Sequence, residues 1–146
     1  MNEQEFEKNK EKAMAVVNIK PNLQFSVLCD DVRREDNGKL ILMGLFEAIN
    51  AKTFPATHHS LFVINRWCKG EGKFRQKIRV VNSKDDAIIF QTDDQTFELP
   101  DIDRQHTLIS RFNNLVFPNP GKYWIEILLD GELFLNYPLI LNEIKQ

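Results

Sequence analysis

The sequence predicts an all-β protein: an antiparallel β-sandwich of Ig-like or C2-like type with seven to nine strands and a marginal N-terminal helix. Three observations carry that reading. Beyond Pro21 apolar residues alternate with polar ones at period two, turn residues interrupt the alternation at fairly even spacing, and no helical period returns. A closed barrel is the alternative. A chain of 146 residues fits one domain whose core needs no staples. Residues 1–20 read as a charged extension and 21–146 as the single sandwich domain.

In the extension, Asn2 and Glu5 suit a capping box, and Glu5/Lys8 and Glu7/Lys10 sit at helical spacing. Phe6, Ala13, Met14 and Val17 are too sparse for a strong core face, so residues 2–17 make a marginal helix that Pro21 closes off. From Asn22, Leu23, Phe25, Val27 and Cys29 alternate with Gln24 and Ser26 in a first strand. The charged run from Asp30 to Gly38 reads as a loop. Lys39 to Ile49 reads as a second strand, apolar enough to be covered on both faces, with Gly44 marking a bulge or a close backbone approach. Pro55 breaks the run, and His59 to Cys68 forms a third strand.

Lys69 to Lys73 is a loop before the fourth strand, Phe74 to Val81, where Phe74, Ile78 and Val80 alternate with Arg75, Lys77 and Arg79. Asn82 to Asp86 turns the chain into a fifth strand, Ala87 to Thr92, and Thr96 to Leu99 is a short strand or connector. His106 to Phe117 is extended, and Pro118, Pro120 and Gly121 open a closing hairpin that runs to Leu141. Its apolar positions are Tyr123, Ile125, Ile127 and Leu129, then Leu133, Leu135, Tyr137, Leu139 and Leu141. A two-residue loop at Asp130-Gly131 would turn these sets to opposite faces, so a three-residue loop, pairing Ile127 with Leu133, is expected. Pro138 lacks a ladder donor and points to an edge or bulge in the last strand.

Composition excludes several functions. A net charge of −2 supplies no global field for nucleic acid or an anionic membrane, so nucleic acid is not an expected partner. The chain holds no apolar run of the length a membrane span or signal peptide needs, which gives the expectation of a cytoplasmic protein. Cys29 and Cys68 are too few for a disulfide framework and lie within apolar runs, as buried thiols do.

The runs Val27-Leu28-Cys29-Asp30-Asp31-Val32, Gly38-Lys39-Leu40 and Met43-Gly44-Leu45-Phe46 are set in order along the chain. With Phe54-Pro55 and Gly121-Lys122-Tyr123, they resemble a family of small bacterial proteins of unknown function across about residues 21 to 144. The resemblance implies a β-sandwich and brings no established activity or site residues.

Two surfaces offer chemistry. Lys73, Arg75, Lys77 and Arg79 form a basic stripe along one strand face, suited to an anionic group or an acidic protein surface; such a stripe is more often the solvated face of an outer strand, where it resists aggregation. If the strands run simply up and down, Asp30, Asp31, Asp36, Asp93, Asp94 and Asp130 share one end, where hard oxygen ligands could take calcium as C2-like loops do. Asp is equally at home in turns for its own reasons. His58-His59, Asp85-Asp86 and Asn113-Asn114 fall at the opposite end, without zinc spacing. No nucleophile elbow or activated-cysteine pattern joins Cys29 or Cys68 to a histidine. The expectation is a non-enzymatic module that binds another macromolecule, a protein partner, through strand or loop surfaces, with no cofactor. A calcium-dependent C2-like domain and a small hydrolase-like enzyme are the alternatives. Unpaired edges and the apolar second strand also favour a homo-oligomer.

Overall fold

A computed structural model describes residues 2–5 and 18–145 of the chain. Ten strands follow one another: β1 (Asn22–Arg34), β2 (Leu40–Leu45), β3 (Ala48–Ala51), β4 (Ala56–Cys68), β5 (Gly72–Asn82), β6 (Ile88–Gln91), β7 (Gln95–Leu99), β8 (Gln105–Phe117), β9 (Gly121–Leu129) and β10 (Glu132–Glu143). They make two facing sheets. One has the order β2-β1-β4-β8; the other runs β3-β10-β9-β5-β6, with β7 also paired to β5. All pairings are antiparallel except β3 with β10. The sandwich is therefore as expected, with one strand more than the range of seven to nine.

Period two explains the core. Leu61, Val63 and Trp67 of β4 and Phe112 of β8 are buried from one sheet, against Phe74, Ile78 and Val80 of β5 and Ile125, Ile127 and Leu129 of β9 from the other. Each such side chain contributes on the order of 1.5–3 kcal/mol by leaving water. Trp67, near the end of β4, joins the layers: it stacks on Phe97 at 5.6 Å and meets Phe134 edge-on at 5.0 Å.

Three local expectations give way. The first strand continues through Arg34, because Asp31, Val32, Arg33 and Arg34 pair with β2, so the loop expected from Asp30 shrinks to a turn around Asp36–Gly38. The second strand is two strands: the chain leaves one sheet after Leu45 and joins the other at Ala48, and β2 is an edge rather than a doubly covered strand. Gly44 marks the bend. Its φ of +71° suits glycine, and a Cβ there would fall on the Asp30 side chain.

The third is the hairpin. Glu132 pairs with Leu129, so the loop is the two residues Asp130-Gly131, both at positive φ (49° and 84°), a type I′ pattern that this dipeptide favours. The facing conflict is then resolved inside the strand. The register shifts between Leu133 and Leu135, Phe134 is the extra residue, and it packs on the core. Ile127 consequently pairs with Leu135, not Leu133, and both leucines stay exposed while Leu139 and Leu141 are buried. Pro138 falls where β10 has no neighbour beyond β9, since β3 joins only from Ile140.

Between the sheets the core carries a polar chain. The wholly buried Gln76 accepts from Asn65 Nδ2 (3.0 Å) and Trp67 Nε1 (2.7 Å) and donates to Gln95 Oε1 (2.8 Å), and Gln95 in turn meets Ser110 Oγ at 3.0 Å. It links β4, β5, β7 and β8 at fixed relative heights. Of the N-terminal helix, residues 3–5 are helical and Glu5 N–H donates to Asn2 Oδ1 at 2.8 Å, half of the expected capping box. The rest of that expectation, residues 6–17, lies outside the described residues.

Candidate interaction surface

The basic stripe lies on the outer face of β5, since Phe74, Gln76, Ile78 and Val80 take the inner one. Three of its four cations meet carboxylates of the same chain. Arg75 reaches Asp94 (3.5 Å) and Asp130 (3.9 Å), Lys77 reaches Asp94 (3.9 Å), and Arg79 reaches Glu126 (3.1 Å). Asp130 also accepts the Arg75 backbone N–H at 2.9 Å. Lys73 makes no ion pair among the described residues, and Glu98 is its cross-strand partner on β7. The pairs to Asp94 and Asp130 are open to solvent and stabilise little, roughly 0–1 kcal/mol, whereas Arg79 and Glu126 are partly buried; together these carboxylates offset the stripe's field for a bare anion. Lys73 and Arg75 line an open groove of about 660 Å³ with Thr96, Glu98, His106 and Asp130. Two cations set against two carboxylates suit a polar partner of mixed charge.

The six aspartates do not converge. β1 runs antiparallel to β4, with Asn22 opposite Cys68 and Cys29 opposite Phe62, so Asp30, Asp31 and Asp36 lie toward the start of β4. Asp130 follows Leu129, which pairs with Gln76 just after the end of β4 and the 69–71 loop, and Asp94 joins it through Arg75. The expected calcium grouping is thus split between the two ends, because Asp30, Asp31 and Asp36 lie at the opposite end of the sandwich from Asp94 and Asp130. Asp31 is occupied locally, bonding Arg33 Nε at 3.0 Å and the Val32 N–H at 2.9 Å. Among the described residues no three His, Cys, Asp or Glu side chains come together in a way that could hold a metal ion.

The histidine pair shares the start of β4 with Asp30 rather than lying opposite all the aspartates as expected: His59 faces Asn114 at 3.4 Å, while His58 points its ring toward Phe46 at 5.9 Å. Burial holds His58 below its ordinary value, with Asp30 pulling partly against it, and its Nε2 is shielded without a partner. Cys29 is wholly shielded from solvent; burial first, and then the Asp30 charge, push its thiol up, the reverse of what an activated nucleophile needs. Cys68 pairs with Asn22 and Gln105 at the far end of β4 from the histidine pair.

The feature that sequence reading misplaced is the β2 edge. Ile41, Met43 and Leu45 stand in a row on the outer side of β2, and they are 43%, 46% and 62% exposed. β2 pairs with β1 on one side and, among the described residues, with no strand on the other. Alternation with Leu40 and Leu42 was visible, but an apolar residue on every position hides which face is wet. A second cleft, of about 410 Å³, adjoins it. It is lined by Val27, Leu45, Phe46, Glu47 and Pro138, and Ser26 Oγ meets Tyr137 Oη across it at 2.8 Å.

A family of unknown function (DUF6941) matches residues 24–142. The chain belongs to this family. The DUF6941 match starts inside β1 and stops inside β10, so it spans both sheets and leaves the charged extension outside. A comparison with curated proteins found no match. Among the described residues no helix is long and apolar enough to cross a membrane.

Proposed function

We propose that this DUF6941 protein is a non-enzymatic binding module that holds another protein through the β2 edge of its four-stranded sheet. The observation that carries the reading is the exposed row Ile41, Met43 and Leu45 beside a strand edge with no neighbour among the described residues. Unpaired peptide groups supply affinity for an added strand, and the apolar row supplies the driving force and the choice of side chains. The stripe Lys73, Arg75, Lys77 and Arg79 is the less favoured surface, since carboxylates of the same chain already meet three of its cations. Free thiols at Cys29 and Cys68 support a cytoplasmic setting.

Tagged wild type, an Ile41→Lys/Met43→Lys variant and an Arg75→Ala/Lys77→Ala/Arg79→Ala variant, each checked for an unchanged melt, would be used as baits in native extract. The β2 variant is expected to lose the wild-type partners and the stripe variant to keep them. The reverse pattern, or identical partner sets from all three baits, would overturn the reading.

A further inference from the structure

We infer that the occupant of the β2 edge is β2 of a second copy, laid antiparallel with Ile41 on the two-fold axis. This rests on reading β2 as the binding edge and adds what binds there. The β1–β2 turn decides which peptide groups are free. Glu35 N–H donates to the Lys39 carbonyl at 2.8 Å, so positions 35 and 39 form a hydrogen-bonded pair. Such pairs alternate along an antiparallel ladder, and Arg33 lies opposite Ile41, so Ile41 spends its N–H and C=O on β1. Leu40 and Leu42, on either side, turn theirs to the open edge.

Leu40-Ile41-Leu42 reads the same in both directions. With Ile41 opposite its own copy, each Leu40 faces the other chain's Leu42, and both outward residues of each strand exchange bonds in register. The ends match as well. Gly38 (φ +88°) and Gly44 (φ +71°) stand three residues before and after Ile41 and face each other in this register, so each strand leaves extended geometry where its neighbour does. Lys39 lies opposite Met43, where its aliphatic stem can cover the thioether, and no like charges meet across the axis. A two-fold contact requires a self-complementary patch, and this edge is one. The shared run is short, so the dimer is expected to dissociate on dilution.

The register makes a specific covalent test. Ile41 and its copy form a pair that is not hydrogen-bonded, with Cα atoms about 4.5 Å apart, inside the range for a disulfide. The two Met43 residues are offset by four positions, roughly 13 Å. In a Cys68→Ser background, Ile41→Cys is expected to form a disulfide-linked dimer under mild oxidation and Met43→Cys is not. Leu42→Pro removes a donor that points away from β1, so it should leave circular dichroism unchanged while wild type, but not the variant, sediments as a dimer at high concentration. Wild type that sediments as a monomer at every concentration, or Met43→Cys cross-linking as fast as Ile41→Cys, overturns the self-pairing. If wild type is monomeric while Ile41→Lys/Met43→Lys still loses a different protein, self-pairing falls and the β2 edge reading stands.

Discussion

Replacing Gln76 by leucine should be among the most damaging single changes in this protein, although the two side chains are nearly equal in size. Gln76 is wholly buried, and its Oε1 is the acceptor for both Asn65 Nδ2 (3.0 Å) and Trp67 Nε1 (2.7 Å). Leucine would leave two buried donors without acceptors, at about 1–3 kcal/mol each, while its added apolar burial returns roughly 1 kcal/mol. Gln95, which loses its bond from Gln76 Nε2, is only half-buried and turns to water or to Ser110. The net loss is about 1–5 kcal/mol, a large part of the ~5–15 kcal/mol that holds a domain folded. Asn65→Leu is the contrast. Asn65 Oδ1 already lacks a partner, and Gln76 Oε1 keeps the Trp67 bond, so that change should cost less than about 1 kcal/mol. Urea unfolding of the two variants against wild type measures both numbers. Equal losses in the two, or a Gln76→Leu variant within about 1 kcal/mol of wild type, would refute the idea that the buried polar chain is satisfied through Gln76.

Burial pushes the Tyr137 phenol up to about 12, against the opposing bond from Ser26, so one tyrosine should ionise late in an ultraviolet titration and later still in Ser26→Ala. Because the folded state disfavours the phenolate, this contribution to stability is present below pH 10 and lost as pH rises from 10 towards 12. His58 works at the acid side: its folded value lies below 6.5, so the unfolded chain takes the proton first, and stability should be full above that pH and decline beneath it. Thermal melts of wild type should show the decline and His58→Gln should flatten it; a slope that survives the substitution assigns the effect elsewhere. Gly131→Ala forces an L side chain to a φ of +84° in the β9–β10 turn and should cost about 1 kcal/mol in the same unfolding assay. Thiol labelling should modify half-buried Cys68 well before the shielded Cys29.

Much of the strand inventory was legible because period two is a local property. Phe74, Ile78 and Val80 announced the inner face of β5, and Arg75, Lys77 and Arg79 its outer one. The polar member of that inner phase, Gln76, was equally visible; a glutamine at an inward position is the signal that a buried hydrogen-bond partner exists. Its partners Asn65 and Trp67 on β4 depend on which strands face across the sandwich, which no spacing along the chain reveals. The basic stripe was found, but not the carboxylates that meet it, since Asp94, Asp130 and Glu126 come from other elements.

By itself, then, the sequence determined the all-β class, the faces of its clearly alternating strands and the place of the closing turn, set by near neighbours; the two-residue length of that turn, against the three residues expected, was decided by pairing inside β10. Only the tertiary structure decided that Lys39 to Ile49 is shared between two sheets, that the aspartate loops lie at opposite ends, and that Phe134 rather than Leu133 enters the core. Those outcomes depend on pairings between distant segments, and a uniformly apolar run has no alternation to show which side water reaches.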